Sequence, residues 1–191
     1  MGINLVPEVM DFAVERLTFQ QINTENPTPG AVRNGSVEEK CVTEGSHKIL
    51  SFLTEVINRG DKDLVIGKPE DRTDIFERAA HTRNGWITKE NFYNYTLKDQ
   101  AGNVSAKGSK RAWCILDHSR FTCNYQGISV GDHDEYGTKE HCQFLVIDGI
   151  ANGEYTFEAV INPSKIFEED SYEDNMITKR LKIQGPIVDV L

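Results

Sequence analysis

No apolar stretch of this chain approaches the ~18 residues a membrane-spanning helix requires, so a bilayer span is not expected. There is no Cys-x-x-Cys, which argues against zinc knuckles and thioredoxin-type redox sites. Basic charge is scarce: 21 Lys and Arg stand against 30 Asp and Glu, a net charge of −9. A surface of that sign repels phosphate backbones and anionic lipid heads, so a nucleic-acid partner is not expected. The opening residues Met1-Gly-Ile-Asn-Leu-Val-Pro7 have neither the basic start nor the long apolar core of a secretion leader. Either the chain is written in mature form with an added Met, or it is not exported by that route. Val6 stands where a myristoylation motif needs Ser or Thr. Internal repeats, low-complexity tracts and long periodic helices are missing as well.

What remains is the composition of a globular protein. The 191 residues are 38% hydrophobic and 27% charged, which suits one domain over 1–191 with a real core. Lys48–Ile57 is rich in β-branched and aromatic residues and closes on Asn58-Arg-Gly-Asp61, a strand and then a turn. Phe92–Lys98 alternates and ends in Asp99-Gln-Ala-Gly102. Val14–Phe19, Ala112–Leu116, Gln143–Ile147, Tyr155–Ile161 and Ile177–Ile183 read the same way. Strands recurring between Gly, Asn, Asp and Pro turns predict an all-β, antiparallel β-sandwich with an immunoglobulin-like core. Asn23–Ser36, Pro69–Trp86 and His118–Glu140 read as long loops, where binding and catalysis concentrate.

Four cysteines, Cys41, Cys114, Cys123 and Cys142, allow three pairings if all are bridged, and spacing alone leaves unpaired buried thiols open too. Asn34-Gly-Ser, Asn94-Tyr-Thr and Asn103-Val-Ser are glycosylation sequons, compatible with secretion.

Gly108-Ser-Lys-Arg-Ala-Trp-Cys-Ile-Leu-Asp117, then Tyr136 shortly before Cys142-Gln-Phe144, resembles the catalytic domain of lysyl oxidases, copper amine oxidases of the extracellular matrix. The likeness runs over most of the chain, from Asn4-Leu-Val-Pro7 through Asn58-Arg-Gly60 to Val160-Ile-Asn-Pro163 and Glu169–Asn175. It implies that Lys110 and Tyr136 occupy the places of the lysine and tyrosine that fuse into the tyrosylquinone cofactor. It also implies the disulfides Cys114–Cys123 and Cys41–Cys142, and with them an oxidising, extracellular setting.

One family feature is missing. Lysyl oxidases hold copper with a His-x-His-x-His run, whose alternate imidazoles suit Cu(II). Counted back from Phe92, those places fall on Arg83, Gly85 and Ile87; counted forward from Phe76-Glu77, on Thr82, Asn84 and Trp86. Neither register supplies a histidine. His81, His133 and His141 are the histidines from which another copper site would have to be built. Without copper the tyrosine stays a phenol, so Lys110 is expected at the surface and Tyr136 half-buried with its hydroxyl hydrogen-bonded. Copper and the quinone are therefore not expected. Calcium is a candidate: the resemblance places a site at Asn4, the Leu5 carbonyl, Asp170, Asp174 and Asn175, a set of hard oxygen donors, against which stands a solvated acidic turn.

Three functions follow as expectations. The leading one is a lysyl-oxidase-like structural or interaction module without copper, its partner an unidentified protein or a second copy. The second is a copper amine oxidase turning primary amines into aldehydes. The third is a calcium-dependent binding or assembly module.

Overall fold

The computed structural model describes residues 2–21, 35–79 and 85–191. Among them are thirteen strands: β1 (Leu5–Phe19), β2 (Gly45–Asn58), β3 (Leu64–Gly67), β4 (Phe76–Ala79), β5 (Gly85–Thr88), β6 (Tyr93–Lys98) and β7 (Val104–Lys110), followed by β8 (Gln126–Ile128), β9 (His133–Tyr136), β10 (Phe144–Val146), β11 (Gly153–Ile161), β12 (Met176–Gln184) and β13 (Ile187–Val190). The helical element is one 3₁₀ turn at Pro69–Asp71. Among the described residues no helix is long and apolar enough to cross a membrane.

The strands form two main antiparallel sheets. One runs β1-β2-β10, with β9 also pairing β2; the other runs β13-β12-β11-β6-β7. There are two further two-stranded sheets, β3-β8 and the β4-β5 hairpin. The main sheets pack face to face through aromatic rings. Phe52 of β2 lies 4.7 Å from Tyr95 of β6 and 4.7 Å from Phe157 of β11, both edge-on. Successive strand residues face opposite ways, so Tyr93, Tyr95 and Leu97 of β6 all enter this core. Each such ring removed from water contributes roughly 1.5–3 kcal/mol. The antiparallel sandwich expected from the turn spacing is thus present.

The differences from expectation lie where the sequence looked irregular. Ala112–Leu116 is not a strand but carries isolated bridges, Ile87 with Trp113 and Leu116 with Gly127. Cys114 there has φ = +58°, a left-handed conformation that turns the backbone out of the extended form. Conversely β7, Val-Ser-Ala-Lys-Gly-Ser-Lys, forms despite weak β-forming residues, because it pairs with β6 from Tyr93↔Lys110 to Lys98↔Val104. The described parts of Pro69–Trp86 contain β4 and the start of β5, and His118–Glu140 contains β8 and β9. Most of Asn23–Ser36 lies outside the described residues.

Candidate functional site

Lys110 ends β7, in the five-stranded sheet, and Tyr136 ends β9, in the other. The sandwich brings them together: Lys110 Nζ sits 5.0 Å from the centre of the Tyr136 ring. Gly108 makes this approach possible, since a Cβ there would meet Leu145 Cδ2 at 2.8 Å and the Phe144 carbonyl at 3.2 Å. Close passage of β7 over β10 thus requires a residue without a side chain.

Both side chains are about 1% exposed. This corrects the expectation of a surface lysine and a half-buried tyrosine: the pair is sealed. Lys110 Nζ donates to the His141 carbonyl at 2.9 Å and lies 3.5 Å from Glu140 Oε2. Burial depresses the Lys110 pKa, opposed by the negative charges of Glu140, Asp134 and Glu39. The Tyr136 ring meets Phe92 and Tyr93 at 6.2 Å each. Its hydroxyl makes no regular hydrogen bond, and neither does Asp134 Oδ2. The two groups nonetheless interact: burial first, then the Asp134 carboxylate, raises Tyr136 well above the usual phenol range.

Asp134 is the residue that sequence reasoning missed here. It lies two positions before Tyr136 on β9, so both face inward while His133 and Glu135 face out. That two-residue spacing was the available signal. Burial pushes the Asp134 carboxyl well above its ordinary value of 3.8. A carboxyl raised on folding contributes stability that is complete below its unfolded value and is lost as pH rises through its folded one. Asp134→Asn abolishes this titration. The stability difference between variant and parent is expected to grow in the variant's favour as pH rises from about 4, then level off. Denaturant titrations of both proteins across pH measure it, and a flat difference would refute the assignment.

Of the places that the resemblance assigns to the copper imidazoles, Gly85, Trp86 and Ile87 lie among the described residues. β5 pairs with β4 so that Ile87 faces Glu77 and Trp86 faces Arg78. Ile87 is fully buried, and the Arg78 guanidinium covers the Trp86 ring at 4.2 Å. Gly85 has no donor. These residues do not fit a three-imidazole copper site. His81, Thr82, Arg83 and Asn84 lie outside the described residues. His133 is half-exposed on β9, 3.6 Å from Asp132 and 3.9 Å from Glu55. His141 is buried beside Lys110. Among the described residues no group of three His, Cys, Asp or Glu side chains is placed to hold a metal.

Of the calcium candidates, Leu5 and Asn175 meet at one carboxylate, that of Glu169, each as a hydrogen-bond donor. Glu169 Oε2 accepts from the Leu5 N–H at 2.7 Å, and Oε1 accepts from Asn162 Nδ2 at 2.7 Å and Asn175 Nδ2 at 2.8 Å. Asn4 Nδ2 donates to Asp174 Oδ2 at 2.9 Å. Asp170 joins through its backbone, donating to the Ile3 carbonyl. Asn4 Oδ1 and Asn175 Oδ1 are shielded from water without a hydrogen-bond partner. Glu169 was not among the residues singled out from sequence. Burial raises its carboxyl above the usual range despite the amide donors.

The structure joins Cys41 to Cys142, with Cα atoms 5.5 Å apart, and Cys114 to Cys123, with Cα atoms 4.7 Å apart. These are the two pairings the resemblance implied. Of the sequons, Asn94 is exposed on β6, and Asn103 is exposed in the β6–β7 turn, donating to Asp99 at 3.1 Å. Asn34 lies outside the described residues.

The lysyl oxidase family model matches residues 15–191. The chain is similar to lysyl oxidase homolog 2 of Xenopus tropicalis, 25% identical over 96% of this chain and 26% of the relative. Gallus gallus lysyl oxidase homolog 2 is 28% identical over 78% of this chain and 20% of the relative. Bos taurus lysyl oxidase homolog 4 is 24% identical, with 96% and 26% covered. The chain thus spans about a quarter of the length of such relatives.

Proposed function

Because the chain belongs to the lysyl oxidase family, we propose that it serves as a member of it that is non-catalytic in amine oxidation, a structural or interaction module at an extracellular or particle surface. It folds as one lysyl-oxidase-like domain, and its partner is another protein or a second copy. The observation that carries this reading is the β4–β5 hairpin. Where copper needs imidazoles, Ile87 is in the core and Trp86 lies under Arg78. The sealed pair supports it as well, since a quinone that oxidises amines has to be reached by them and Lys110 and Tyr136 are about 1% exposed. The two bridges favour an oxidising compartment. In this role Lys110 and Tyr136 tie one sheet to the other through the carbonyl of His141 and a cation–ring contact.

The test is metal analysis and intact mass after exposure to copper and oxygen. The expected result is substoichiometric copper, no peroxide release with alkyl amines, and an unlinked Lys110 and Tyr136. One copper per chain with a covalent Lys110–Tyr136 bond would establish the amine oxidase instead.

A second reading concerns calcium. It is supported by the two orphaned oxygens, Asn4 Oδ1 and Asn175 Oδ1, beside Glu169 and Asp174. Calcium held by these oxygens would link the amino-terminal strand to the 168–175 loop, as an assembly or binding module requires. Saturating it one-hundredfold above its dissociation constant would add about 2.7 kcal/mol of stability. An unfolding midpoint that rises with calcium and falls with chelator supports the site; an indifferent midpoint rejects it.

A further inference from the structure

Beside the Cys41 turn lies a second constellation that uses none of the residues of the Lys110–Tyr136 cluster. His47 Nδ1 is 2.6 Å from Asp148 Oδ2, and His47 Nε2 is 3.2 Å from Thr43 Oγ1. Asp148 is held in turn, its Oδ1 accepting the Lys48 N–H at 2.7 Å. Residues four apart in an extended strand are roughly 13 Å apart, and Thr43 lies before β2 begins, in a bent segment, which lets its side chain reach His47. Gly45 between them, at the start of β2, has φ = +125°, a conformation open to glycine. The short bond to Asp148 places the proton on Nδ1 and leaves Nε2 as the acceptor facing the hydroxyl. The Lys48 amide and His47 keep the Asp148 carboxyl below its ordinary range, and hence ionised.

These are the relations of an activated nucleophile: hydroxyl, base, and a carboxylate that orients the base. They border an open surface depression of about 720 Å³, lined by Val37, Val42 and Val146 and by one charge of each sign, Lys40 and Glu44. We propose that Thr43, His47 and Asp148 form an acyl-transfer site for carboxylic esters with a small apolar acyl group. Thr43 Oγ attacks the ester carbonyl as its proton passes to His47 Nε2. The C–O bond to the alcohol breaks, and the alcohol leaves with that proton, giving acyl-Thr43. Water, deprotonated by His47, then attacks the acyl carbon. The carboxylic acid leaves, and Thr43 recovers its proton.

The experiment uses the whole chain with p-nitrophenyl acetate and butyrate, following nitrophenol release and mapping the acyl group by mass spectrometry. The expected result is one acyl group on Thr43. Thr43→Ala should reduce release to background, and Thr43→Ser should retain it. His47→Asn should slow it by ~10²–10⁴-fold, with Asp148→Asn between that variant and the parent. Unchanged unfolding midpoints show that each variant is folded. No Thr43 adduct, an adduct confined to lysines, or a Thr43→Ala variant releasing nitrophenol at the parent rate would each overturn the proposal.

Discussion

Serine at both Cys41 and Cys142 is expected to lower the unfolding free energy by about 4.7 kcal/mol, against about 2.7 kcal/mol for serine at Cys114 and Cys123. The difference comes from the unfolded chain. The first bridge spans 101 residues and the second 9, and the conformational freedom released by cutting a bridge grows with the loop it closes. The long bridge also has a local consequence. Cys142 follows His141, whose carbonyl takes the Lys110 ammonium, and its own N–H donates to Ser36 Oγ at 3.1 Å. Cutting it loosens the segment that seals Lys110, so acylating reagents should modify Lys110 faster in this variant. Guanidinium titrations of the two double variants under identical conditions, with peptide mapping of acylated lysines, check both statements. Equal losses, or a larger loss for the short loop, would contradict the chain-entropy account.

Glu169→Ala is expected to cost about 3 kcal/mol or more, at roughly 1–3 kcal/mol for each donor left unsatisfied. The carboxylate gathers the Leu5 N–H, Asn162 Nδ2 and Asn175 Nδ2 within 2.8 Å. Removing it strands these donors in a buried position, and a stranded donor loses more than its bond was worth. Asn162 itself sits at φ = +49° and holds the 162–167 turn by donating to the Phe167 carbonyl at 2.7 Å and accepting the Phe167 N–H. The variant should therefore also expose the amino-terminal end of β1, read as faster amide exchange at Leu5. Glu169→Gln keeps an acceptor but turns an NH₂ toward the same donors, so it should fall between parent and alanine. A loss below about 1 kcal/mol for Glu169→Ala would mean that water replaces the carboxylate and that the junction is not buried in solution.

Much of the framework was legible in the residues. β2, β6, β11 and β12 alternate clearly between turn signals and formed within a few residues of where the pattern put them. The short strands β3, β4, β5, β8 and β9 were not legible, because three or four residues carry too little periodicity to separate a strand from a loop. β7 was missed for a different reason. Val-Ser-Ala-Lys-Gly-Ser-Lys has the composition of a solvated loop, yet pairing with β6 and close passage over β10 make it a strand.

The same contrast governs the site. The order of segments identified Lys110, Tyr136 and the cysteines as positions of a known framework, and the lack of a His-x-His run marked the missing imidazoles. Both follow from residue identity along the chain. That Lys110 is buried against a tyrosine ring, that Asp134 is buried beside that ring, and that Glu169 collects three donors were decided by tertiary structure. Burial and charge coupling depend on what the opposite sheet brings within a few ångströms, and residues 26 or 164 positions apart leave no local pattern of that meeting. Sequence fixes which groups are present; only packing decides which of them lose water, and the loss of water changes their chemistry.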